Sequence, residues 1–120
     1  MKLHTVLKSK LHHARISYCN PEYVGSIEID AELMKKVGIL NGEKVEIWAV
    51  DHPARISTYA MAGPRGVVGM NGGAARFFNQ GDRVIIVAYV HTDENIDPKI
   101  LLLNEENEVQ KELEPYSVLG

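Results

Sequence analysis

Residues 83–90 read R-V-I-I-V-A-Y-V, an apolar run that follows a Gly81-Asp82 turn, and they decide the fold class. A short run so rich in Val and Ile is a strand, and its continuous apolarity predicts burial on both faces. Working outward, the period stays near two. Upstream, Arg55–Met61 (R-I-S-T-Y-A-M) and Lys44–Val50 (K-V-E-I-W-A-V) read as strands joined by a Pro-containing turn over 51–54. Further back, Tyr23–Asp30 alternates Ile27 and Ile29 against Ser26 and Glu28. In Leu11–Tyr18, Ala14, Ile16 and Tyr18 share one face, and Lys10 and His12 continue its line. One helix interrupts the strands: Asp30 caps it, Leu33, Met34 and Val37 lie at helical spacing, and Gly38 stops it. Downstream, Ile100–Leu103 and Glu108–Leu113 form a hairpin across an Asn104–Asn107 turn. Between Gly63 and Gly73 lie five of the ten glycines, marking backbone that turns tightly or approaches something closely. Six or seven short strands with one or two short helices predict a mostly β protein, a small closed barrel, and disfavour a layered α/β sheet.

At 120 residues and 13.4 kDa the chain is one domain, 1–120, able to bury a core without a metal or disulfide. Thirteen Lys and Arg against sixteen Asp and Glu give a net charge of −3, which argues against a nucleic-acid binder that works by neutralising phosphates. The lone Cys19 excludes zinc sites needing two cysteines and a C-x-x-C redox pair, and is read as an inert small residue. No membrane partner is expected, because no run reaches eighteen apolar residues; with no signal peptide evident, a cytoplasmic address is expected. Half of the acids, eight of sixteen, fall between Asp93 and Glu114, which reads as a solvated surface.

The common catalytic motifs are absent: no phosphate loop, no H-E-x-x-H, no G-x-S-x-G. Adjacent His12 and His13 are expected on opposite faces of a strand, so no metal site is predicted. Taken alone, Gly25-Ser26 is a turn or bulge, Thr58 and Tyr59 are ordinary strand residues, and Lys10 and Arg55 are solvated charges.

Their company changes that reading. K-L-H (10–12), Y-x-G-S-I-x-I-D (23–30), G-I-L (38–40), V-x-I-W (45–48), R-x-S-T-Y-A (55–60), R-G (65–66), N-G-G-A-A (71–75) and G-D-x-V-I-I (81–86) occur in this order. The ordered set resembles the aspartate 1-decarboxylases over roughly residues 2–90. The resemblance implies a double-psi β-barrel, usually a homotetramer with its sites at subunit interfaces. It also implies conversion of L-aspartate to β-alanine and CO2 for pantothenate and coenzyme A synthesis. The cofactor would be a pyruvoyl group made from the chain itself, with neither pyridoxal phosphate nor metal.

Further roles follow from the resemblance. Ser26 attacks the carbonyl of Gly25, and the chain parts into 1–25 and 26–120. Ser26 becomes the pyruvoyl group that forms an imine with substrate. Gly25 suits this because it leaves the attacked carbonyl unobstructed. Thr58 and Asn71 donate to the developing oxyanion, worth roughly 3 kcal/mol per donor in other acyl-transfer sites, and Tyr23 belongs to the same processing group. Arg55, whose fork suits a carboxylate, and Lys10 take the two carboxylates of aspartate, with His12 orienting them. Thr58, Asn71, Gly72, Gly73 and Ala74 line the substrate, and Tyr59 returns a proton to Cα. Trp48 packs near the site or in the core. Where the family more often has Ala, this chain has Gly73. Thr58 and Tyr59 are neighbours and face opposite ways in a regular strand, so both serve one site only if the strand ends or bulges there, or if the site lies between subunits. Two alternatives stand beside this: a barrel that never matures and serves as a binding or assembly module, and a pyruvoyl decarboxylase of another acidic amino acid.

Overall fold

The computed structural model describes residues 1–116. The helix forms where its local signals lie. Helix α1 (Ala31–Val37) starts as the Asp30 carboxylate accepts from the backbone N–H of Glu32 and Leu33, and stops at Gly38, whose φ of 80° is the left-handed conformation that glycine tolerates. Its Leu33, Met34 and Val37 are buried.

The strands are β1 (His4–Arg15), β2 (Tyr18–Asn20), β3 (Ser26–Asp30), β4 (Lys44–Ala49), β5 (Arg55–Gly63), β6 (Val68–Asn71), β7 (Arg83–Thr92), β8 (Lys99–Leu103) and β9 (Val109–Glu112). They hydrogen-bond in the order β2-β6-β3-β5-β4-β7-β1-β8-β9. The order is linear, but β2 continues β1 across Ile16 and Ser17. Ile16 N–H donates to Asp82 O on one side, and Ser17 N–H donates to Val68 O on the other. A circuit of strands therefore runs from β1 through β7, β4, β5, β3 and β6 to β2, and the chain itself joins its ends. Alternate residues of these strands fill the interior: Leu11, Ile27, Ile29, Val45, Ile47, Ala60, Val68, Met70, Val84 and Ile86 are all buried there. The expected class, mostly β with short helices in a small barrel, is what the structure shows.

Three local features differ from the sequence reading. The glycine-rich stretch is not only turn: Val68–Asn71 is a fully buried strand, followed by a 3-10 helix over Gly72–Phe77. Strand β1 starts seven residues earlier than its apolar alternation, at His4. It also carries a bulge between Leu11 and Ala14, with His13 at φ 62°. The extra residue cancels the alternation, so His12 and His13 do not face opposite ways: their rings stack with centroids 4.0 Å apart. Strand β7 is buried on both faces only at Ile86–Ala88 and emerges at Tyr89. Among the described residues no helix is long and apolar enough to cross a membrane.

Candidate active site

Residues paired across a sheet share a face, so the register sorts the candidates. Ser26 pairs with Asn71 across β3 and β6, and Ile27 pairs with Ala60 across β3 and β5. Ile27, Ala60 and Met70 point into the core, so Ser26 and Asn71 lie on the outer face. Both are nonetheless buried, 5% and 7% exposed. The Asn71 amide donates from Nδ2 to Ser26 Oγ at 3.3 Å, while Asn71 Oδ1 is buried without a partner.

Gly72 closes the other side. Its φ is +66°, and a Cβ built there would lie 2.6 Å from both Cα and N of Gly25 and 2.9 Å from Tyr23 O. The N-G-G segment thus presses its backbone against the Tyr23–Ser26 turn, which only glycine permits. A Cβ on Gly25 would meet only Asn71 O, at 3.9 Å. Gly73 is exposed and open, and Ala74 is half-buried between it and the core. The Tyr23 ring is 61% exposed, so it is the backbone of Tyr23 that belongs to this cluster.

Strand β5 is regular through Thr58 and Tyr59, pairing Thr58 with Val45 and Tyr59 with Lys44. The two side chains therefore do face opposite ways, as expected. Counting back from Ile27–Ala60 sets Tyr59 level with Ser26, and Thr58 level with Gly25. The hydrogen-bonded pairing of these strands begins one residue beyond Ser26, at Ile27.

The cations lie elsewhere on the outer face. Arg55 pairs with Trp48 and sits over its ring, 4.3 Å from the centroid. Lys10 pairs with Val87, Val87 with Glu46, and Glu46 with Ser57, which puts Lys10 on the face that carries Arg55 and Tyr59. Among the described residues neither Lys10 nor Arg55 has a carboxylate within ion-pair distance. Each is thus an unpaired cation on the outer face, open to a carboxylate, with two strands between them. His12, next in line, has its pKa lowered to about 4 by burial first, then by His13, Lys10 and Arg83, so it is neutral at pH 7. Its buried Nδ1 lacks a partner.

The structure therefore brings together Gly25, Ser26, Asn71 and Gly72, with the backbone of Tyr23. Lys10 stands apart from them on β1, a strand that does not pair with β3. Sequence reasoning gave Tyr18 and Glu28 only strand positions, yet they pair beside Ser26, with Tyr18 Oη donating to Glu28 Oε1 at 2.8 Å.

The chain as a whole is similar to known proteins. A family model described as aspartate decarboxylase matches residues 1–110. An aspartate 1-decarboxylase of Exiguobacterium sibiricum is 47% identical over 117 residues, 92% of each chain. One from Thermotoga petrophila is 45% identical over 112 residues, covering 92% of this chain and 98% of the relative. One from Hyphomonas neptunium is 44% identical over 113 residues, 89% and 96% of the two chains.

Proposed function

The chain belongs to the aspartate decarboxylase family and converts L-aspartate to β-alanine and CO2 for the pantothenate pathway; we propose that it does so with a pyruvoyl group made by its own cleavage between Gly25 and Ser26, at a site shared by two copies of the chain. The observation that carries this is the enclosure of that one peptide, with the Asn71 amide on Ser26 Oγ and Gly72 against Gly25.

Maturation needs only this chain and one water. Ser26 Oγ adds to the Gly25 carbonyl carbon, the Gly25–Ser26 C–N bond breaks, and an ester with a free Ser26 amine results. Loss of the Ser26 Cα proton expels Gly25 as a carboxylate and leaves a dehydroalanine. Water then replaces its nitrogen, which departs as ammonia, and residue 26 ends as a ketone. In this reading Thr58 donates to the carbonyl oxygen that gains charge, with Asn71 in support; the β3–β5 register, extended back two residues from Ile27–Ala60, sets Thr58 level with Gly25. The buried, unpartnered Oδ1 of Asn71 and the cradle at Gly72 fit such a group at position 26.

When bound, the ketone supplies an electron sink for the carbanion that CO2 leaves behind. The chain's residues do the rest. Arg55 and Lys10 hold the two carboxylates, with neutral His12 beside Lys10 as an orienting donor and acceptor. Tyr59, level with Ser26 on the outer face, gives the proton to Cα. Lys10 lies on β1, which does not pair with the β3 that carries Ser26, and the resemblance puts the sites between subunits, so the Lys10 face serves the Ser26 of a second copy, in a homotetramer. A cytoplasmic location accords with this pathway. Glutamate differs by one methylene, worth only about 1–3 kcal/mol in a pocket, so aspartate preference rests on the reach between Lys10 and Arg55.

A denaturing mass spectrum tests the proposal. It predicts fragments 1–25 and 26–120, the latter with a ketone and not a serine at its start, and a single uncut chain for Ser26→Ala. Cleavage in Ser26→Ala refutes the nucleophile. An intact wild-type chain after prolonged warming favours the non-maturing barrel.

A further inference from the structure

Between Lys10 on β1 and Arg55 on β5 lie two strands, β7 and β4, and the register gives what they present on the outer face. Lys10 pairs with Val87, Val87 with Glu46 and Glu46 with Ser57; one row along, Ile85 pairs with Trp48 and Trp48 with Arg55. The ground between the two cations is therefore Val87, Ile85, Trp48 and Glu46, of which only Glu46 ionises. Arg55 leans onto this ground: its guanidinium lies over the Trp48 ring on β4, where Glu46 is the next residue along on the same face. Val87 points outward yet is only 1% exposed, so side chains cover this patch, and Glu46 itself is half-buried. Among the described residues Glu46 has no cation within ion-pair distance, neither Lys10 nor Arg55 nor Lys44, which shares its strand and face. A half-buried carboxylate without a partner costs stability, and a ligand cation would offset that cost.

We propose that Glu46 is a specificity-determining residue that takes the α-ammonium of aspartate. The substrate brings two carboxylates and one ammonium, and the carbon that bears the ammonium lies between the carboxylates. The outer face offers the complementary set in the same order: a cation on either side and an anion between them. An ammonium on a carboxylate makes charge-assisted hydrogen bonds, which would hold the amine on the patch that faces the Ser26 of the second copy. A dicarboxylate without an amine brings the same two carboxylates but meets Glu46 as a like charge. Glu46 thus discriminates twice, by attracting the amino acid and by repelling its amine-free analogue.

The proposal rests on the placing of the substrate carboxylates on Lys10 and Arg55, and its test separates the two. CO2 release by the matured full chain gives the KM for aspartate and the Ki of succinate, the same dicarboxylate without the amine, as a competitive inhibitor. Glu46→Gln keeps the shape and removes the charge. It is expected to raise the KM for aspartate about tenfold or more, the worth of one hydrogen bond to a charged group, and to leave the Ki of succinate unchanged or lowered. Glu46→Asp keeps the charge on a shorter stem and should move the ratio of Ki to KM in the same direction by about threefold. A merely structural role, such as bracing Lys10 or Arg55, weakens aspartate and succinate by the same factor. Equal changes in KM and Ki, or no change in either, overturn the proposal. If Glu46→Gln fails to assemble, Glu46→Asp decides by the same ratio. A wild type that turns over aspartate but is not inhibited by succinate at any concentration overturns the carboxylate placing, and the role of Glu46 with it.

Discussion

Gly72→Ala is the substitution that bears hardest on the enclosure of the Gly25–Ser26 peptide. Two independent penalties are visible. The residue holds φ at +66°, where an alanine is disfavoured by roughly 1–2 kcal/mol. Its new Cβ would lie 2.6 Å from Gly25 Cα and N and 2.9 Å from Tyr23 O. All three are backbone atoms, so one segment must move by about 1 Å, at the roughly 1–3 kcal/mol typical of overpacking. The sum, about 2–5 kcal/mol, is readable as a lowered urea midpoint. Displacing Gly25 by that much also carries its carbonyl away from Ser26 Oγ, and a shift of about 1 Å in a reacting pair costs on the order of 100-fold in rate. Cleavage followed by mass spectrometry should therefore slow about 100-fold. The neighbouring Gly73→Ala supplies the contrast, since a Cβ there meets nothing within 4 Å and its φ is not in the left-handed region. It should cleave at the wild-type rate and gain up to about 1 kcal/mol through a stiffer unfolded chain. Wild-type cleavage in Gly72→Ala, or equal damage from both alanines, would refute the reasoning.

Three further outcomes are expected. Tyr59→Phe should mature normally and lose about 10²–10⁴-fold in kcat for aspartate, measured as CO2 release by the matured fraction; normal turnover removes Tyr59 as proton donor. Asn107→Ala should lose at least about 2 kcal/mol in urea denaturation, because the buried Asn107 side chain binds Arg15 N–H, Arg15 O and Gly66 O together. His12 stays neutral down to about pH 4 in the folded chain, whereas the unfolded chain takes up that proton near 6.5. The unfolded state thus binds more protons in between, so stability is whole above pH 6.5 and declines as pH falls toward about 4. His12→Gln should flatten that slope in urea midpoints taken across the window.

Much of the fold was legible because its signals are local. Asp30 and Gly38 bound α1 by their own hydrogen bonds and φ, so three residues of apolar spacing sufficed. Strands β4 and β5 kept their period because each packs one face on the core, and β7 was legible from its unbroken apolar run, buried on both faces at Ile86–Ala88. Strand β6 escaped notice because its outward side chain is supplied from elsewhere: Gly69 is filled by the Tyr18 ring, which no reading of residues 68–71 contains. The His12–His13 bulge is just as opaque, since a positive φ at a residue other than glycine is held by tertiary contacts. Asn107, a turn residue to the eye, is a buried latch between β1 and the Gly66 turn. The site itself was legible only through the ordered motifs: nothing in Asn71 or Gly72 alone says that they meet Gly25.

In the proposed mechanism the neighbours Thr58 and Tyr59 let one strand serve two reactions. Cleavage attacks a backbone carbonyl, and a peptide lying beside β5 is open to donors from both faces of the sheet. Thr58 and Tyr59 sit level with the two halves of that peptide, and Asn71 and Gly72 close it from β6. In the proposed maturation, everything cleavage uses is carried by one chain. Decarboxylation makes a different demand, because the substrate's carboxylates need cations at a fixed distance from residue 26. Lys10 sits on β1, a strand that does not pair with β3, and in the proposed assembly it serves the Ser26 of a second copy. The outer face bearing Trp48, Arg55, Tyr59 and Met61 leaves Tyr59 37% and Met61 41% exposed in the single chain. A second copy on this face would cover those apolar groups and bring its Ser26 to the unpaired cations in the same step. Cleavage should therefore proceed at a rate independent of chain concentration, and decarboxylation should be lost on dilution below the assembly constant.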